Sequence, residues 1–222
     1  MKGALRIVVF AGGLLPDPDA ARRLVRSEDL LICADGGARH ARTLGLAPHL
    51  IVGDLDSLNQ ADVEHFVSHR VAFKKYPKDK DQTDLELALS HALERDPEAI
   101  IIIGALGARL DHTLGNIALL ADSRLVGRDC CLDDGVERVM LCRDRVPISG
   151  TPGDLVSLIP WGGPASAVHT TGLKWPLGGE VLVPERSRGI SNVLLHETAE
   201  VRVEGGWLLV VHRRLSPGAG AG

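Results

Sequence analysis

The feature that most limits the fold is a set of short, unbroken apolar runs, each followed by a loop rich in glycine or aspartate. These are "LRIVVF" (Leu5–Phe10), "LLICA" (Leu30–Ala34), "LIV" (Leu50–Val52) and "AIIIIG" (Ala99–Gly104). Apolar runs without alternation suit strands covered on both faces. Helix signals lie between them. Asp17-Pro18 offers an N-cap followed by proline at the first helical position, for a helix running to about Arg26. Ser57-Leu58-Asn59-Gln60 has capping-box spacing, with Val63, Phe66 and Val67 behind it. Thr83-Asp84-Leu85-Glu86 is a second capping box, after which Leu85, Ala88, Leu89, Ala92 and Leu93 form one apolar stripe. Strands alternating with helices of this length imply right-handed crossovers. The expected fold class is therefore α/β, a doubly wound and mainly parallel sheet over residues 1–134.

Past Asp134 the texture changes. "VERVMLC", "GDLVSLIP", "GEVLVP", "AEVRV" and "GWLLVV" are closely spaced strand-like runs separated by Gly/Pro-rich turns, with no clear helix. They predict a small all-β sandwich domain over residues 135–215. Residues 216–222, "SPGAGAG", lack large apolar side chains and are expected to be a disordered tail.

The net charge of −4 over 222 residues argues against a basic nucleic-acid surface. Cys33, Cys130, Cys131 and Cys142 form no CxxC pair and lie in or beside apolar runs, as buried reduced thiols would. The N-terminal "MKGALRIVVFAGGLL" reads as a first strand turning through Gly12-Gly13 rather than as a signal peptide. No segment approaches the roughly 18–20 apolar residues that cross a bilayer. The expected setting is cytoplasmic, without membrane or nucleic-acid partners.

In an open parallel sheet, ligands bind beyond the carboxyl ends of the strands. Asp35 follows the second apolar run, Asp54 and Asp56 follow the third, and Asp111 lies in the loop after the fourth. Asp79, Asp81 and Asp84 approach the helix that Thr83 opens. So many acids along one rim repel one another unless a cation lies among them. Asp54 and Asp56, two apart in a non-helical stretch, are expected to aim at a common point, joined by Asp84. Oxygen ligands of this kind suit Mg²⁺, which takes one or two carboxylates and leaves its other positions to water and phosphate. Phosphate needs donors too, and "GALGARLDH" with Arg109 and the Thr83 helix start supply them. There is no Walker A lysine motif and no G-x-G-x-x-G.

The order of motifs resembles one family. "ADGG" (Ala34–Gly37), "GDLDS" (Gly53–Ser57), "KDQTDLELAL" (Lys80–Leu89), "GALGARLDHTLGN" (Gly104–Asn116), "SLIP" (Ser157–Pro160), "TTGLKWPL" (Thr170–Leu177) and "SRGISN" (Ser187–Asn192) look like those of thiamine pyrophosphokinases, bacterial members above all. The resemblance implies an α/β nucleotide domain joined to a thiamine-binding β-sandwich, in a homodimer with thiamine bound between subunits. It implies transfer of the terminal pyrophosphoryl group of ATP to the thiamine hydroxyl, with Mg²⁺ required and AMP released. Carried over by motif, Asp54, Asp56 and Asp84 resemble the metal and phosphate centre. Asp35, Asp81, Thr83, Arg109, Asp111 and Asn116 resemble its nucleotide side, with Arg109 and Asp111 also placed at the reacting phosphates. Thr170, Thr171, Trp175, Ser191 and Asn192 resemble the thiamine side. The chain departs from the bacterial pattern at Ala108, where a second glycine commonly precedes the motif arginine. Two other functions share parts of this signal: a D-x-D nucleotidyl- or glycosyltransferase, and a non-catalytic thiamine or nucleotide sensor.

Overall fold

The structure is a computed structural model describing residues 5–215. The tail expected at 216–222 lies outside the described residues. The chain forms two compact units that divide after Gly135.

The first unit holds six strands: β1 (Arg6–Phe10), β2 (Leu30–Ala34), β3 (Leu50–Gly53), β4 (Ala72–Lys75), β5 (Ala99–Ile103) and β6 (Asp129–Asp133). They lie in the order β4-β3-β2-β1-β5-β6, every neighbouring pair parallel. Each of the four apolar runs is a strand. In β1, Ile7, Val8, Val9 and Phe10 are fully buried, as a strand covered on both faces requires. The edge strand β4, "AFKK", has no apolar run and exposes Lys74 and Lys75, charges that discourage edge-to-edge pairing.

Five helices accompany the sheet: α1 (Pro18–Leu24), α2 (Gly37–Thr43), α3 (Gln60–Ser68), α4 (Asp84–Leu93) and α5 (Leu110–Leu119). Helix α1 stops short of Arg26, because Val25 turns extended and is buried in the core. Helix α3 is capped by Asn59, whose side chain accepts from the Asp62 N–H at 2.9 Å, and not by Ser57. Phe66 on α3 is fully buried, whereas Val67 points to solvent. Helix α4 starts at the expected cap, Thr83 Oγ1 accepting from the Glu86 N–H at 3.2 Å. Its buried face comprises Leu85, Leu87, Ala88, Leu89 and Ala92. Helix α5 begins directly after Arg109, so Asp111 sits in its first turn rather than in a loop. Phe10, Cys33, Ile51, Phe66 and Ile103 share one buried cluster between strands and helices. The chain runs outward from β1 to β4 and then returns to β5 on the other side of β1, so the order reverses there. That reversal opens a crevice at the strands' carboxyl ends.

The second unit is built of strands: β7 (Glu137–Cys142), β8 (Arg145–Ser149), β9 (Leu155–Thr171), β10 (Gly178–Leu182), β11 (Asn192–Val193), β12 (Thr198–Arg202) and β13 (Gly205–Arg213). No helix occurs among its described residues. The first half of β9 pairs antiparallel with β13 and β11, and the second half with β12 and β10. Gly162, at φ +76°, lies at the change of direction, a conformation costly for any residue with a Cβ. Two sheets thus share one long strand, and β13 pairs with β7 while β12 pairs with β8. Before β9 a buried polar knot closes the unit. Asp154 accepts from the N–H groups of Thr151 and Leu215, each at 3.0 Å, and from His212 Nε2 at 2.8 Å.

Candidate active site

A cavity of about 320 Å³ opens in the first unit where the strands end. Ala11 to Gly13 follow β1, Asp35 and Gly36 follow β2, Ser57 follows β3, and Ala105 with Gly107 to Arg109 follow β5. Thr83 and Asp84 from the start of α4, with His112 and Asn116 from α5, complete much of the wall. The loops after β1 and β5 meet backbone to backbone, Gly13 N donating to Gly104 O at 2.7 Å.

Three carboxylates converge at the edge of this cavity: Asp35 and Asp84 from its wall and Asp54 beside them each place an oxygen within 4.8 Å of the others. Asp35 is buried, held at φ +39° by the turn after β2, and its Oδ1 has no hydrogen-bond partner. Asp84 Oδ1 is also buried without a hydrogen bond of good geometry, although Lys80 Nζ approaches it to 3.0 Å. Burial, aided by the charges of Asp35 and Asp54, raises the Asp84 pKa against the opposing pull of Lys80. Gly53 makes room for the group. A Cβ there would lie 2.9 Å from Asp35 Cβ and 3.0 Å from Asp84 Oδ1. Three carboxylates, two of them with a buried oxygen that lacks a hydrogen bond, around a space that a methyl would fill fit a hard divalent cation.

Asp56 stands apart from this trio. Leu55 between Asp54 and Asp56 adopts φ +67°, which turns the chain so that Asp56 N donates to Asp54 Oδ1 at 3.0 Å. The Asp56 carboxylate faces outward to Lys78 Nζ at 2.6 Å, and this ammonium holds its pKa below the usual range. The sequence spacing placed Asp54 and Asp56 together; the fold brings Asp35 to Asp54 instead. Asp81 is exposed and is not part of the cavity wall.

On the opposite wall Arg109 forms a two-bonded pair with Asp111, Nη2 at 2.6 Å and Nε at 3.1 Å from its oxygens. Both side chains are largely exposed. Ala108 sits at φ +59°, a left-handed conformation that glycine would adopt without strain. The Asn116 amide donates to Ala105 O at 2.8 Å, fastening α5 to the loop after β5. Arg39, Ser57 and His112 line the cavity without having been marked as ligands in the sequence.

The remaining predicted residues lie in the second unit. Asn192 is buried and clasps the backbone of Trp175, accepting from its N–H at 3.0 Å and donating to its carbonyl at 2.7 Å. The indole itself is 55% exposed, with Lys174 Nζ 4.8 Å from its ring centroid. Thr170 is buried, its Oγ1 accepting from Leu177 N at 2.8 Å, while neighbouring Thr171 is exposed. Ser191 is held at φ +58° and its N–H donates to Ser157 Oγ at 3.0 Å. The "TTGLKWPL" and "SRGISN" segments are therefore physically joined.

Fold and cleft together define a class: a doubly wound α/β unit with an acid-lined cleft at its switch point, followed by an all-strand unit. Residues 21–132 match the family described as "Thiamin pyrophosphokinase, catalytic domain", and residues 145–208 match "Thiamin pyrophosphokinase, vitamin B1 binding domain". The chain belongs to the thiamin pyrophosphokinase family. The thiamine pyrophosphokinase of Bacillus subtilis is 29% identical over 218 residues, covering 92% of this chain and 97% of that one. Thiamine pyrophosphokinase 2 of Arabidopsis thaliana is 31% identical over 174 residues, 67% of this chain and 64% of the relative. Among solved structures, the Bacillus subtilis thiamine pyrophosphokinase superposes with a TM-score of 0.85 at 27% identity, covering 95% of this chain and all of the other. The yeast enzyme, at 17% identity and a TM-score of 0.75, shares the fold.

Proposed function

We infer that this chain transfers the β,γ-pyrophosphoryl group of ATP to the hydroxyl of thiamine, giving thiamine diphosphate and AMP. The observation that carries this reading is the convergence of Asp35, Asp54 and Asp84 on one point of the crevice, in a chain of this family. Asp54 and Asp84, with Asp35 beside them, are the residues that would hold Mg²⁺, and Asp56 flanks them from the outer side of the turn. When bound, Mg²⁺ neutralises charge on the phosphate oxygens. Arg109, positioned by Asp111, offers guanidinium donors to the phosphates, and the glycine-rich loop before it offers backbone N–H groups. Thr83 and Asn116 border the nucleotide side from the cavity wall, and Asp81, outside that wall, is assigned to it by motif alone. Burial of the nucleotide's anionic chain against these groups orients the β-phosphorus for in-line attack by the alcohol. Transfers of this kind depend on positioning and charge stabilisation more than on a strong base.

Thiamine carries a cationic thiazolium, which an exposed indole can hold by its π face. Trp175 is that plane, and Asn192 fixes its backbone. Thr170, Thr171 and Ser191 frame the same side. The working form is a homodimer in which thiamine is shared between subunits. A cytoplasmic setting suits an ATP-dependent reaction and four cysteines outside disulfides. No helix among the described residues is long and apolar enough to cross a membrane.

The test is product analysis after incubation with ATP, Mg²⁺ and thiamine. Thiamine diphosphate and AMP in equal amounts are expected. ADP with thiamine monophosphate would overturn the reading, as would nucleotide consumption that thiamine does not stimulate. A nucleoside diphosphate released from a nucleotide sugar would favour a D-x-D transferase. The shared site is tested by mixing an inactive Asp54→Asn protein with a Trp175→Ala protein at thiamine far below the raised KM of the latter, where neither turns over alone; hybrid dimers regain activity only if each subunit completes the other.

A further inference from the structure

A polyphosphate entering this cavity meets Asp35 and Asp84 in its wall, with an Asp54 oxygen within 4.8 Å of theirs, so the cations around it decide whether it stays. Arg109 is already neutralised by Asp111 at 2.6 Å. Lys80 and Lys78 are engaged with Asp84 and Asp56. Arg39 is different. It lines the cavity from α2, and among the described residues its guanidinium has neither an acid partner nor a hydrogen bond. Arg6, Arg42, Arg124 and Arg128 of the same unit pair with aspartates, and although Arg23, Arg26, Arg70 and Arg95 also lack an acid partner among the described residues, none of them lines the cavity. The guanidinium lies across the bare backbone of Gly36: a Cβ built there would be 3.3 Å from Arg39 Nη2 and 3.4 Å from Ser57 Cβ. This places the planar fork beside the loops that carry Asp35 and Asp54, solvent-exposed but on the wall of the crevice, where an incoming anion can reach it.

We propose that Arg39 binds the triphosphate of the nucleotide directly, as the cavity's uncompensated cation and a positioning contact that Arg109 does not replace. The proposal rests on the ATP reading above. Its chemistry is a charge-assisted, two-bonded contact with phosphate oxygens, for which a guanidinium is shaped and an ammonium is not. No covalent step is assigned to it.

Binding measured calorimetrically in Mg²⁺, without thiamine, separates the possibilities, with ATP, inorganic tripolyphosphate and adenosine as probes. Arg39→Met is expected to weaken both ATP and tripolyphosphate by about 10-fold, the loss of one charge-assisted contact, and to leave adenosine unchanged. Arg39→Lys should recover only part of that loss. Gly36→Ala keeps the charge but crowds the guanidinium; because Gly36 has an ordinary helical φ of −55°, its effect on tripolyphosphate reports displacement rather than backbone strain. Unchanged ATP and tripolyphosphate affinity in Arg39→Met would overturn the proposal. So would equal weakening of ATP and adenosine with tripolyphosphate unaffected, which would put Arg39 on the base. A wild-type protein that binds tripolyphosphate but not ATP would remove the ATP reading while leaving the phosphate contact to the Arg39 variants. One that binds neither overturns both.

Discussion

Lys80 Nζ lies 3.0 Å from Asp84 Oδ1, four residues away along the chain, with both side chains partly shielded from solvent. The lysine thus stands where a metal ion's positive charge would otherwise be felt. Replacing it with methionine removes an internal competitor. Lys80→Met is expected to bind Mg²⁺ alone about 5-fold more tightly near neutral pH, matching a partly exposed ion pair of about 1 kcal/mol. Titration calorimetry without nucleotide checks this, and equal affinity in the two proteins would show that the lysine and the metal do not compete.

Asp84 carries a second expectation. Its raised pKa means that the fold disfavours its charge. A carboxyl of this kind contributes stability that is complete below its unfolded pKa and is lost as pH rises through the higher folded value. At neutral pH the neutral Asp84→Asn protein should therefore melt at least as high as wild type without metal. Its turnover should fall by about 10²-fold, roughly 2.7 kcal/mol of transition-state stabilisation. Thermal melts with chelator, read beside steady-state rates, test both halves. A lower melting point together with near-normal turnover would contradict the assignment.

The buried knot around Asp154 predicts acid lability with the opposite sign. Burial opposes its charge, yet the Leu215 and Thr151 N–H groups and His212 outweigh burial and hold its pKa low. The stability it contributes is present above about pH 4, the ordinary carboxyl range, and disappears as pH falls through the native value. Gly150→Ala should break the same knot, since its Cβ would come 2.6 Å from Asp154 Oδ2 and 2.7 Å from His212 Nε2. A loss of about 1–3 kcal/mol is expected from such overpacking, measured by denaturant unfolding.

Trp175 should behave as a binding residue and not as a core residue. With 55% of its surface exposed, Trp175→Ala is expected to leave the melting temperature almost unchanged. The KM for thiamine should rise with kcat nearly preserved, because stacking holds substrate and transition state alike. A large drop in kcat at saturating thiamine would assign the indole a role in the chemical step.

Much of this was legible in the sequence because the signals were local. The unbroken runs at Leu5 and Ala99, short and β-branched, suited strands covered on both faces, and Thr83 with Glu86 marked the start of α4 to the residue. Where long-range geometry decided, the sequence was silent or pointed elsewhere. Asp54 and Asp56 share a motif, but the positive φ of Leu55 sends the latter to Lys78. Asp35 joins Asp54 only because β2 and β3 are parallel neighbours, with Ala34 opposite Val52. Arg39 drew no reading of its own from the sequence, since nothing in its neighbours along the chain records that its guanidinium and Ser57 both lie against Gly36. The length of β9 was hidden by Gly162-Gly163, which reads as a turn between two strands and is a bend inside one.

That long strand has a mechanical consequence. β9 is hydrogen-bonded to β10, β11, β12 and β13, so a single cleavage within it would release four partners at once. β8 and β10, each paired with a single strand, are edges that can fray, but among the described residues the two sheets are joined through β9. The amides of β9 and of its partner strand β13 should exchange with deuterium as one cohort, after those of the edge strands β8 and β10.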